Sequence, residues 1–363
     1  LRQSEHSVFQ VVREMRSSYR KEDVRFLLTD ITGKVTPQPA DERERQIQAG
    51  RHYSEMLPIE YVPGLRYMEA YEEALKHNAA LTAHAVGRLS DKIMEQKGSD
   101  TVLVSLARAG TPVGILIRRY IAKKYRVLLP HYSISIIRGR GIDDAAMRYL
   151  LGKFSPKQLL FVDGWIGKGA IFRELKKDME GYPGVSADLA VLADPANMTK
   201  LCGTHEDILI PSSCLNATVS GLVSRTFYRD DVIAEGEFHG AAYYGELADS
   251  DVSYAFIEAV EKEFVMVNPP QKPAAAGFGI REAEEIAEHF AVSDINFIKP
   301  GIGEATRVLL RRIPWKVLIV EKGEEDPSLA HLLRLAEEKN VPVEYYPLAH
   351  YKACGIIKKL ADT

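Results

Sequence analysis

The stretch Gln158-Leu-Leu-Phe-Val-Asp163-Gly164-Trp-Ile-Gly167-Lys168-Gly169-Ala170-Ile171 joins an apolar run to one acid and a glycine-rich turn. Ile171, Leu175 and Met179 then recur at every fourth position, which predicts an amphipathic helix directly after the turn. A strand, a tight turn and a helix in this order are typical of a parallel α/β sheet. Backbone N–H groups at a helix start favour a phosphate, and glycines allow its close approach. The stretch therefore predicts a phosphate site, with Asp163 placed for sugar hydroxyls or a metal.

The composition predicts a globular protein with more than one domain. The chain has 363 residues, of which 46% are hydrophobic and 27% are charged. A formal net charge of -3 excludes polyanion binding through bulk charge, so nucleic acid would need a local basic patch. Only Cys202, Cys214 and Cys354 are present, which argues against a disulfide framework and favours a reducing compartment. Because neither a membrane-length apolar run nor a signal-peptide pattern occurs, we expect a cytoplasmic protein with no membrane partner.

Alternating strand and helix patterns predict an α/β fold over residues 99–267. Strands are predicted near residues 101–107, 126–137, 158–162, 188–194 and 207–211, and helices near residues 111–121, 143–151 and 171–179. This order implies right-handed βαβ units and a mainly parallel sheet with helices on both faces. Residues 1–98 are predicted to form an N-terminal arm, with a short element near residues 23–28, and helices that pack on this core.

A second, smaller α/β domain is predicted over residues 278–363. Three prolines in Asn268-Pro-Pro-Gln-Lys-Pro-Ala-Ala-Ala-Gly277 mark a linker over residues 268–277. After it, helices are predicted near residues 281–290, 304–312, 328–339 and 352–360, and strands near residues 296–299, 316–320 and 343–346.

Two further segments are expected to join the Asp163 turn. Val104-Ser-Leu-Ala-Arg108-Ala109-Gly110-Thr111-Pro112 is a second strand-to-helix turn, in which Arg108 and backbone N–H groups are suited to a pyrophosphate. Ile136-Ile-Arg138-Gly139-Arg140-Gly141 is a basic, glycine-rich loop that is suited to closing over an anion. Together the three segments predict a sugar-phosphate site.

These motifs resemble the diphosphosugar-binding and pyrophosphate loops of type I phosphoribosyltransferases. A closer similarity, over residues 23–264, is to a bacterial phosphoribosyltransferase-like family of tellurite-resistance and stress-response gene clusters, in which some members carry the label cysteine protease StiP. It is carried by the Asp163 turn, by His52-Tyr-Ser-Glu-Met-Leu-Pro and by the seventeen residues that begin Ile210-Pro-Ser-Ser-Cys-Leu-Asn. The chain departs from the type I pattern, since Asp163-Gly164 stands in place of two acids, and Gly167, Lys168 and Ile171 stand where Thr or Ser is usual.

The resemblance implies a phosphoribosyltransferase that uses phosphoribosyl diphosphate and Mg²⁺. Asp163 and Arg108 would be the catalytic residues, the first on the ribose hydroxyls and the second on the pyrophosphate. Phosphate or pyrophosphate binding is assigned to Ala109, Gly110, Gly164, Gly167, Lys168, Gly169, Ala170, Ile171, Arg138 and Arg140. A base, a metabolite and an RNA end are all open as acceptors, and so are the metal ligands and a homo-oligomer. The alternative is a non-catalytic nucleotide- or RNA-binding regulator of the stress response, which the missing second acid favours.

A second resemblance lies in the smaller domain. Lys299-Pro-Gly301-Ile-Gly303-Glu304-Ala305-Thr306-Arg307, followed by Leu309-Leu-Arg311-Arg312, resembles the Pelota-like, kink-turn-binding RNA domains of ribosomal and release-factor proteins. The resemblance implies structured RNA as a partner, bound by Lys299, Gly301, Gly303, Glu304, Arg307 and Arg311. Residues 271–363 contain 13 Lys+Arg and 14 Asp+Glu, so the domain has only a local basic patch. This balance favours a small structured RNA over non-specific polyanion binding.

The remaining polar residues offer weaker candidates. Cys202-Gly-Thr-His205 contains a nucleophile and a base, but a catalytic cysteine needs a lowered pKa and a base that is adjacent in space. We therefore do not predict a cysteine protease. Asp194, at another predicted strand end, is a secondary candidate for a metal or ribose contact. Asp143-Asp144 is interpreted as a helix cap.

Overall fold

A computed structural model describes residues 15–62 and 64–359 of the chain. The first 14 residues of the predicted N-terminal arm, residue 63 and residues 360–363 lie outside the described residues. The larger domain contains, in chain order, β1 (Arg25–Phe26), β2 (Thr29–Asp30), α1 (Ala40–Gln48), α2 (Leu65–Gln96), β3 (Val102–Leu106), α3 (Gly110–Tyr125), β4 (His131–Ile134), β5 (Ile136–Ile137), β6 (Gly141–Ile142), α4 (Asp144–Leu151), β7 (Leu159–Trp165), α5 (Ala170–Met179), β8 (Leu189–Ala193), β9 (Cys202–Thr204), β10 (Gly240–Ala241) and α6 (Ser253–Lys262).

The core of the larger domain is a parallel sheet of order β1-β4-β3-β7-β8-β9. Along β7, Leu160 and Val162 pack into one apolar core, whereas Leu159 and Phe161 pack into another. Residues of α2, α3 and α6 complete the first core, and residues of α4 and α5 complete the second. Because strand side chains alternate between faces, this division means that helices cover both faces of the sheet. The predicted α/β class and parallel sheet are confirmed, while the type I phosphoribosyltransferase assignment stays a prediction.

Two segments of the larger domain differ from the predicted elements. The short element near residues 23–28 is β1, which pairs with β4 at the edge of the central sheet. The strand predicted over residues 207–211 is wrong, because the sixth strand of the sheet is β9 (Cys202–Thr204). The reason lies in Asp207, whose buried carboxylate accepts hydrogen bonds from the backbone N–H groups of Ile302 and Lys352 in the smaller domain. This contact draws the segment away from the sheet.

The smaller domain contains α7 (Gly279–His289), β11 (Ile298–Pro300), α8 (Ile302–Arg311), β12 (Pro314–Ile319), α9 (Ala330–Glu338), β13 (Val343–Tyr345) and β14 (Ala353–Ile357). Its sheet has the order β11-β14-β12-β13, and β14 is antiparallel to both of its neighbours. The helix predicted over residues 352–360 is therefore wrong. All five residues of β14 are buried, and a Cβ atom at Gly355 would lie 3.1 Å from Cα of Ala305 in α8. This close packing of a helix on a strand explains the glycine.

The two domains are held together by buried polar contacts. Lys352 N–H donates to Asp207 at 2.8 Å, and the Tyr351 hydroxyl donates to the carbonyl of Gly167 at 2.6 Å. On the other side of the interface, Arg312 pairs with Glu44, whose side chain is 1% exposed. Of the helices in the described ranges, none has the length and apolar content that a membrane crossing requires.

We expect Asp207→Ala to weaken the docking of the two domains. The substitution leaves the N–H groups of Ile302 and Lys352 without their acceptor, and each unpaired buried donor costs about 1–3 kcal/mol. The mutant should unfold at a lower temperature and should be cleaved faster by trypsin at the exposed linker residue Lys272. Asp41→Ala, on an exposed helix face, is the control. Equal melting temperatures and cleavage rates for the two variants would contradict this account of the interface.

Candidate functional site

A cavity of about 350 Å³ lies where the Asp163 turn meets the smaller domain. Its walls come from β7 and the start of α5 in the larger domain, and from β11 and α8 in the smaller one. Of the residues predicted for phosphate or RNA binding, the walls contain Ala109, Arg138, Asp163, Gly167, Lys168, Gly169, Ala170, Ile171, Lys299, Glu304 and Arg307. The structure therefore brings parts of two separately predicted sites into one place.

The glycine turn after β7 receives the smaller domain. Lys168 extends into that domain, where its ammonium group donates to the carbonyls of Ile298, at 2.7 Å, and Ile295. A Cβ atom at Gly167 would lie 3.2 Å from the carbonyl oxygen of Pro300. Gly169 has φ 81°, a left-handed conformation that favours glycine directly before α5. At Gly167, the group that approaches the glycine closely is thus the backbone of the smaller domain, where a phosphate was expected.

Asp163 is half-buried in a strand that continues to Trp165. Its carboxylate accepts a hydrogen bond from the N–H of Gly164 at 2.7 Å. Burial raises the pKa of Asp163 to about 6, although this hydrogen bond and Arg307 oppose the rise. The side chain therefore carries a costly charge at neutral pH, which nearby cations help to stabilise.

The arginines predicted to hold pyrophosphate have protein partners. Arg108 pairs with Glu60 at 3.2 Å and donates to the carbonyl of Val223 at 3.0 Å, away from the cavity. Arg140 pairs with Glu55, while Arg138 donates to the side chain of Asn296 at 2.9 Å. Arg138 is a cavity residue, and Arg108 and Arg140 are not. Gly110 and Gly164 also lie outside the cavity wall, and Gly110 instead abuts the backbone of Val162.

The residues predicted to bind RNA face the larger domain. Gly301 has φ 97° and precedes α8, and a Cβ atom at Gly303 would lie 2.7 Å from the ring of Trp165. The guanidinium of Arg307 stacks on the same ring, 4.3 Å from its centroid, and Arg311 donates to Asn216. In this arrangement the glycine turn of α8 approaches protein where the resemblance implies RNA.

A second group of reactive side chains lies around β9. The Sγ atom of Cys202 is 3.3 Å from Nε2 of His205, and Nδ1 of the same ring is 3.0 Å from the carbonyl oxygen of Asp194. A carbonyl can only accept, so Nδ1 carries the proton and Nε2 of the neutral ring is free to accept one. Nδ1 also lies 3.8 Å from the sulfur, so the sulfur faces the side of the ring and a rotation of the imidazole would be needed to direct Nε2 at the thiol.

An acid completes the group around Cys202. One carboxylate oxygen of Asp194 lies 3.8 Å from Nδ1 of His205 and accepts from the N–H groups of Met198 and Thr199. The other, Oδ1, is buried and has no hydrogen-bond partner among the described residues. Such a carboxylate favours the protonated imidazole that forms when the thiol gives up its proton.

The thiol itself is covered in this conformation. Cys202 is 0% exposed, and the amide nitrogen of the linker residue Gln271 lies 3.7 Å from its Sγ atom. Burial raises the pKa of Cys202 to about 11, although the nearby Lys92 ammonium favours the thiolate. Cysteine chemistry at this position therefore requires the linker to move.

The sequence analysis named Cys202, His205 and Asp194 as candidates but did not predict a cysteine protease, since spacing alone does not show that His205 lies beside the sulfur. The usable signal was the short interval between Cys202 and His205 directly after a strand. In the described ranges, no group of three or more His, Cys, Asp or Glu side chains is placed to hold a metal ion. Magnesium stays a prediction.

Comparison with known proteins gives two family matches. Residues 17–261 match the model of a family described as "Tellurite-like stress resistance cysteine protease StiP", and residues 278–359 match a "PELOTA RNA binding domain". Over 94% of each chain, the protein is 35% identical to the "Cysteine protease StiP" of Acinetobacter baylyi (strain ATCC 33305 / BD413 / ADP1).

These matches correct the main functional prediction. The expectation of a phosphoribosyltransferase that transfers a phosphoribosyl group is wrong, because both the family and the relative are named as cysteine proteases. The association with tellurite-like stress resistance and the Pelota-like domain are confirmed. Since the family model covers well over half of the chain and the relative aligns along nearly its full length, the chain belongs to the StiP family.

Proposed function

We propose that this protein hydrolyses peptide bonds, with Cys202 as the nucleophile and His205 as the general base. The observation that carries the proposal is the 3.3 Å contact between Sγ of Cys202 and Nε2 of His205. The opposite ring nitrogen donates to the Asp194 carbonyl, which fixes the tautomer that a base needs. The names of the matched family and of the relative supply the class of reaction.

The proposed chemistry uses two steps at one sulfur atom. His205 takes the thiol proton, and Sγ attacks the carbonyl carbon of the peptide, so that a C–S bond forms. The C–N bond then breaks as protonated His205 gives its proton to the leaving nitrogen. In the second step His205 deprotonates water, which attacks the thioester, and the C–S bond breaks to restore the thiol. Asp194 stabilises the imidazolium that forms in each step.

The other two cysteines lack these surroundings. Cys214 and Cys354 are both 0% exposed, and burial raises the pKa of each thiol. Neither sulfur lies within hydrogen-bond distance of an imidazole in the part of the chain that the structure describes. Cys354 also falls outside the residues that match the family model.

The linker is the cover of the proposed site. Gln271 contacts the sulfur and accepts a hydrogen bond from Lys92 at 3.0 Å, while Lys272 pairs with Glu206 at 2.7 Å. Arg88 donates to the carbonyl of Pro269. These contacts are polar, and they add to the second apolar core, in which Cys202 is also packed. The structure thus corresponds to a closed state of the proposed enzyme.

We expect alkylation of Cys202 by iodoacetamide to be slow at pH 7 and to accelerate with pH. Because the thiol pKa is about 11, the reactive thiolate fraction rises tenfold for each unit by which the pH is raised, up to that value. Gln271→Ala should raise the rate at pH 7 by opening access to the sulfur, although it also removes a hydrogen bond that lowers the thiol pKa. Asp41→Ala, on an exposed helix face away from the linker, is the control, and mass spectrometry of the labelled peptides gives the rates. Equal labelling of Cys202 in both variants would refute the assignment of Gln271 as the cover.

Hydrolysis itself can be tested on an unfolded protein substrate. Denatured casein incubated with the purified wild type and with Gln271→Ala should yield new amino termini, faster with the variant. Cys202→Ala and His205→Ala should each lose at least about 1000-fold in rate, because each member of such a group is needed for the first step.

Cys214→Ala is the matched control for the hydrolysis assay. It removes another buried thiol of the same matched region and should retain cleavage. Cleavage that survives Cys202→Ala, or that neither the wild type nor Gln271→Ala performs, would overturn the proposed function.

RNA binding by the smaller domain is a second candidate function, favoured by the match of residues 278–359 to an RNA-binding domain. Lys299, Glu304 and Arg307 line the cavity between the domains, where a structured RNA has no access. We propose that RNA binds this face only after the domains part, so that RNA and the larger domain compete for it.

This competition predicts opposite effects for two substitutions. Arg307→Ala should weaken the binding of a kink-turn RNA by about tenfold, since a charge-assisted contact is lost. Glu44→Gln breaks the interdomain pair with Arg312 and should strengthen RNA binding by making separation easier. Fluorescence anisotropy at fixed salt measures both affinities. Unchanged affinity in Arg307→Ala would refute this surface, and unchanged affinity in Glu44→Gln would refute the competition.

A further inference from the structure

The loop after β9 contacts three parts of the molecule through three consecutive residues. Nδ1 of His205 lies 3.0 Å from the carbonyl oxygen of Asp194. Glu206 pairs with Lys272 of the linker at 2.7 Å. The carboxylate of Asp207 accepts hydrogen bonds from two backbone N–H groups of the smaller domain, at 3.2 and 2.8 Å. The position of the proposed base is therefore fixed by the linker and by the smaller domain as well as by the acid.

The loop after β8, which carries the acid, is held in the same way. The carbonyl of Ala196 accepts a hydrogen bond at 3.1 Å from the N–H of Gly279, the first residue of α7. A Cβ atom at Gly279 would lie 2.9 Å from Cα of Ala196, so the two backbones are in close contact. Asn197 donates to the carbonyl of Gly277 at the end of the linker. The smaller domain thus packs against the backbone two residues after Asp194.

These contacts hold the Cys202 group in a form that is not ready to react. The sulfur lies 3.3 Å from Nε2 and 3.8 Å from Nδ1 of His205, so it faces the side of the ring. The Asp194 carbonyl retains Nδ1, which opposes the ring rotation that would direct Nε2 at the thiol. Gln271 of the linker covers the same sulfur. The base, the acid and the cover are therefore all attached to the smaller domain or to its linker.

The two domains share an apolar core, which makes the docked state the dominant one. Leu332 and Leu335 of α9 belong to the same buried cluster as Tyr67 and Tyr71 of α2. Because separation of the domains exposes such side chains to water, it costs free energy and leaves the separated form as a minor population. The polar contacts across the interface add to this cost, so their loss increases the minor population.

We propose that the smaller domain is autoinhibitory and keeps Cys202 covered and His205 turned aside while it is docked on the larger domain. When the domains part, Asp207 and Ala196 lose their partners, both loops relax, and the linker leaves the sulfur. The imidazole then rotates until Nε2 accepts the thiol proton, which leaves a thiolate beside an imidazolium. The proposal rests on the hydrolytic role proposed for Cys202 and His205, and it adds the regulation of that site.

Alkylation of the full chain tests this coupling without any peptide substrate. Iodoacetamide reacts with exposed sulfur, so the labelling rate of Cys202 at fixed pH follows the population of the separated form. Cys354 is the internal reference, because it lies in the apolar core of the smaller domain and becomes exposed when that domain unfolds. Mass spectrometry of the two peptides gives both rates from one digest.

Two substitutions weaken the interface without removing a contact of the sulfur. Glu44→Gln removes the charge that pairs with Arg312, and Tyr351→Phe removes the hydroxyl that donates to the carbonyl of Gly167. Each contact exists only while the domains are docked. Each substitution should therefore raise the labelling rate of Cys202 at pH 7 by about 10-fold, because a buried polar group loses its partner in the docked state. The labelling rate of Cys354 should not change.

Asp41→Asn is the matched control for Glu44→Gln. It also changes an acid to an amide on α1, but the pair that Asp41 forms with Arg45 is exposed and lies within the same helix. Both cysteines should be labelled in this variant at the rates of the wild type.

Two outcomes would overturn the autoinhibitory role. The first is that Cys202 is labelled no faster in Glu44→Gln and Tyr351→Phe than in Asp41→Asn. The second is that labelling of Cys354 accelerates by the same factor as that of Cys202, which would mean that the smaller domain unfolds. Since labelling requires no hydrolysis, faster labelling without any cleavage of casein would refute the proposed function alone. Cleavage that depends on Cys202, together with unchanged labelling, would refute the autoinhibition alone.

Discussion

The insertion of Lys168 into the smaller domain is the constraint on which the arrangement of the molecule depends. Its ammonium group donates to the carbonyls of Ile298 and Ile295, and burial, followed by the neighbouring Lys299, lowers its pKa to about 7. Because this lysine follows β7 directly, the contact fixes β11 and α8 against the turn. The turn that a phosphate was expected to fill is thereby occupied by protein, and the space that remains is a shared cavity.

The fold could be predicted from the sequence where local pattern and tertiary environment agree. The apolar run before Asp163 predicts β7, and the four-residue recurrence after Gly169 predicts α5. Prediction failed at residues 353–357, whose burial by α8 depends on Gly355 and on a contact with distant Ala305. It failed again at Asp207, whose partners lie about a hundred residues further along the chain. No local pattern contains these long-range contacts.

The candidate sites also depend on long-range contacts that local patterns do not contain. The sequence motifs identified most of the turn residues after β7 that line the cavity. They did not show that the donors of Arg108 are taken by Glu60 and Val223. Nor did they identify Arg225, which reaches the cavity from a segment without regular secondary structure. In the Cys202 group, the sulfur contacts His205 on the loop after β9, and the carbonyl of Asp194 on the loop after β8 sets the tautomer of the ring. The coordinates show these two contacts, whereas the sequence does not.

The linker, residues 268–277, runs between the Cys202 group and the domain that closes the cavity. It leaves α6 and crosses α2, where Arg88 and Lys92 contact Pro269 and Gln271, and it then reaches Gly277, whose carbonyl accepts from Asn197. The linker is thus fixed beside Cys202 of β9 at Gln271, and near the loop after β8, which carries Asp194, at Gly277. Because the linker is continuous with α7, a displacement of the smaller domain pulls on the segment that covers the thiol. Contacts that hold the cavity closed, such as Lys168 with Ile298, therefore also favour the covered state of Cys202.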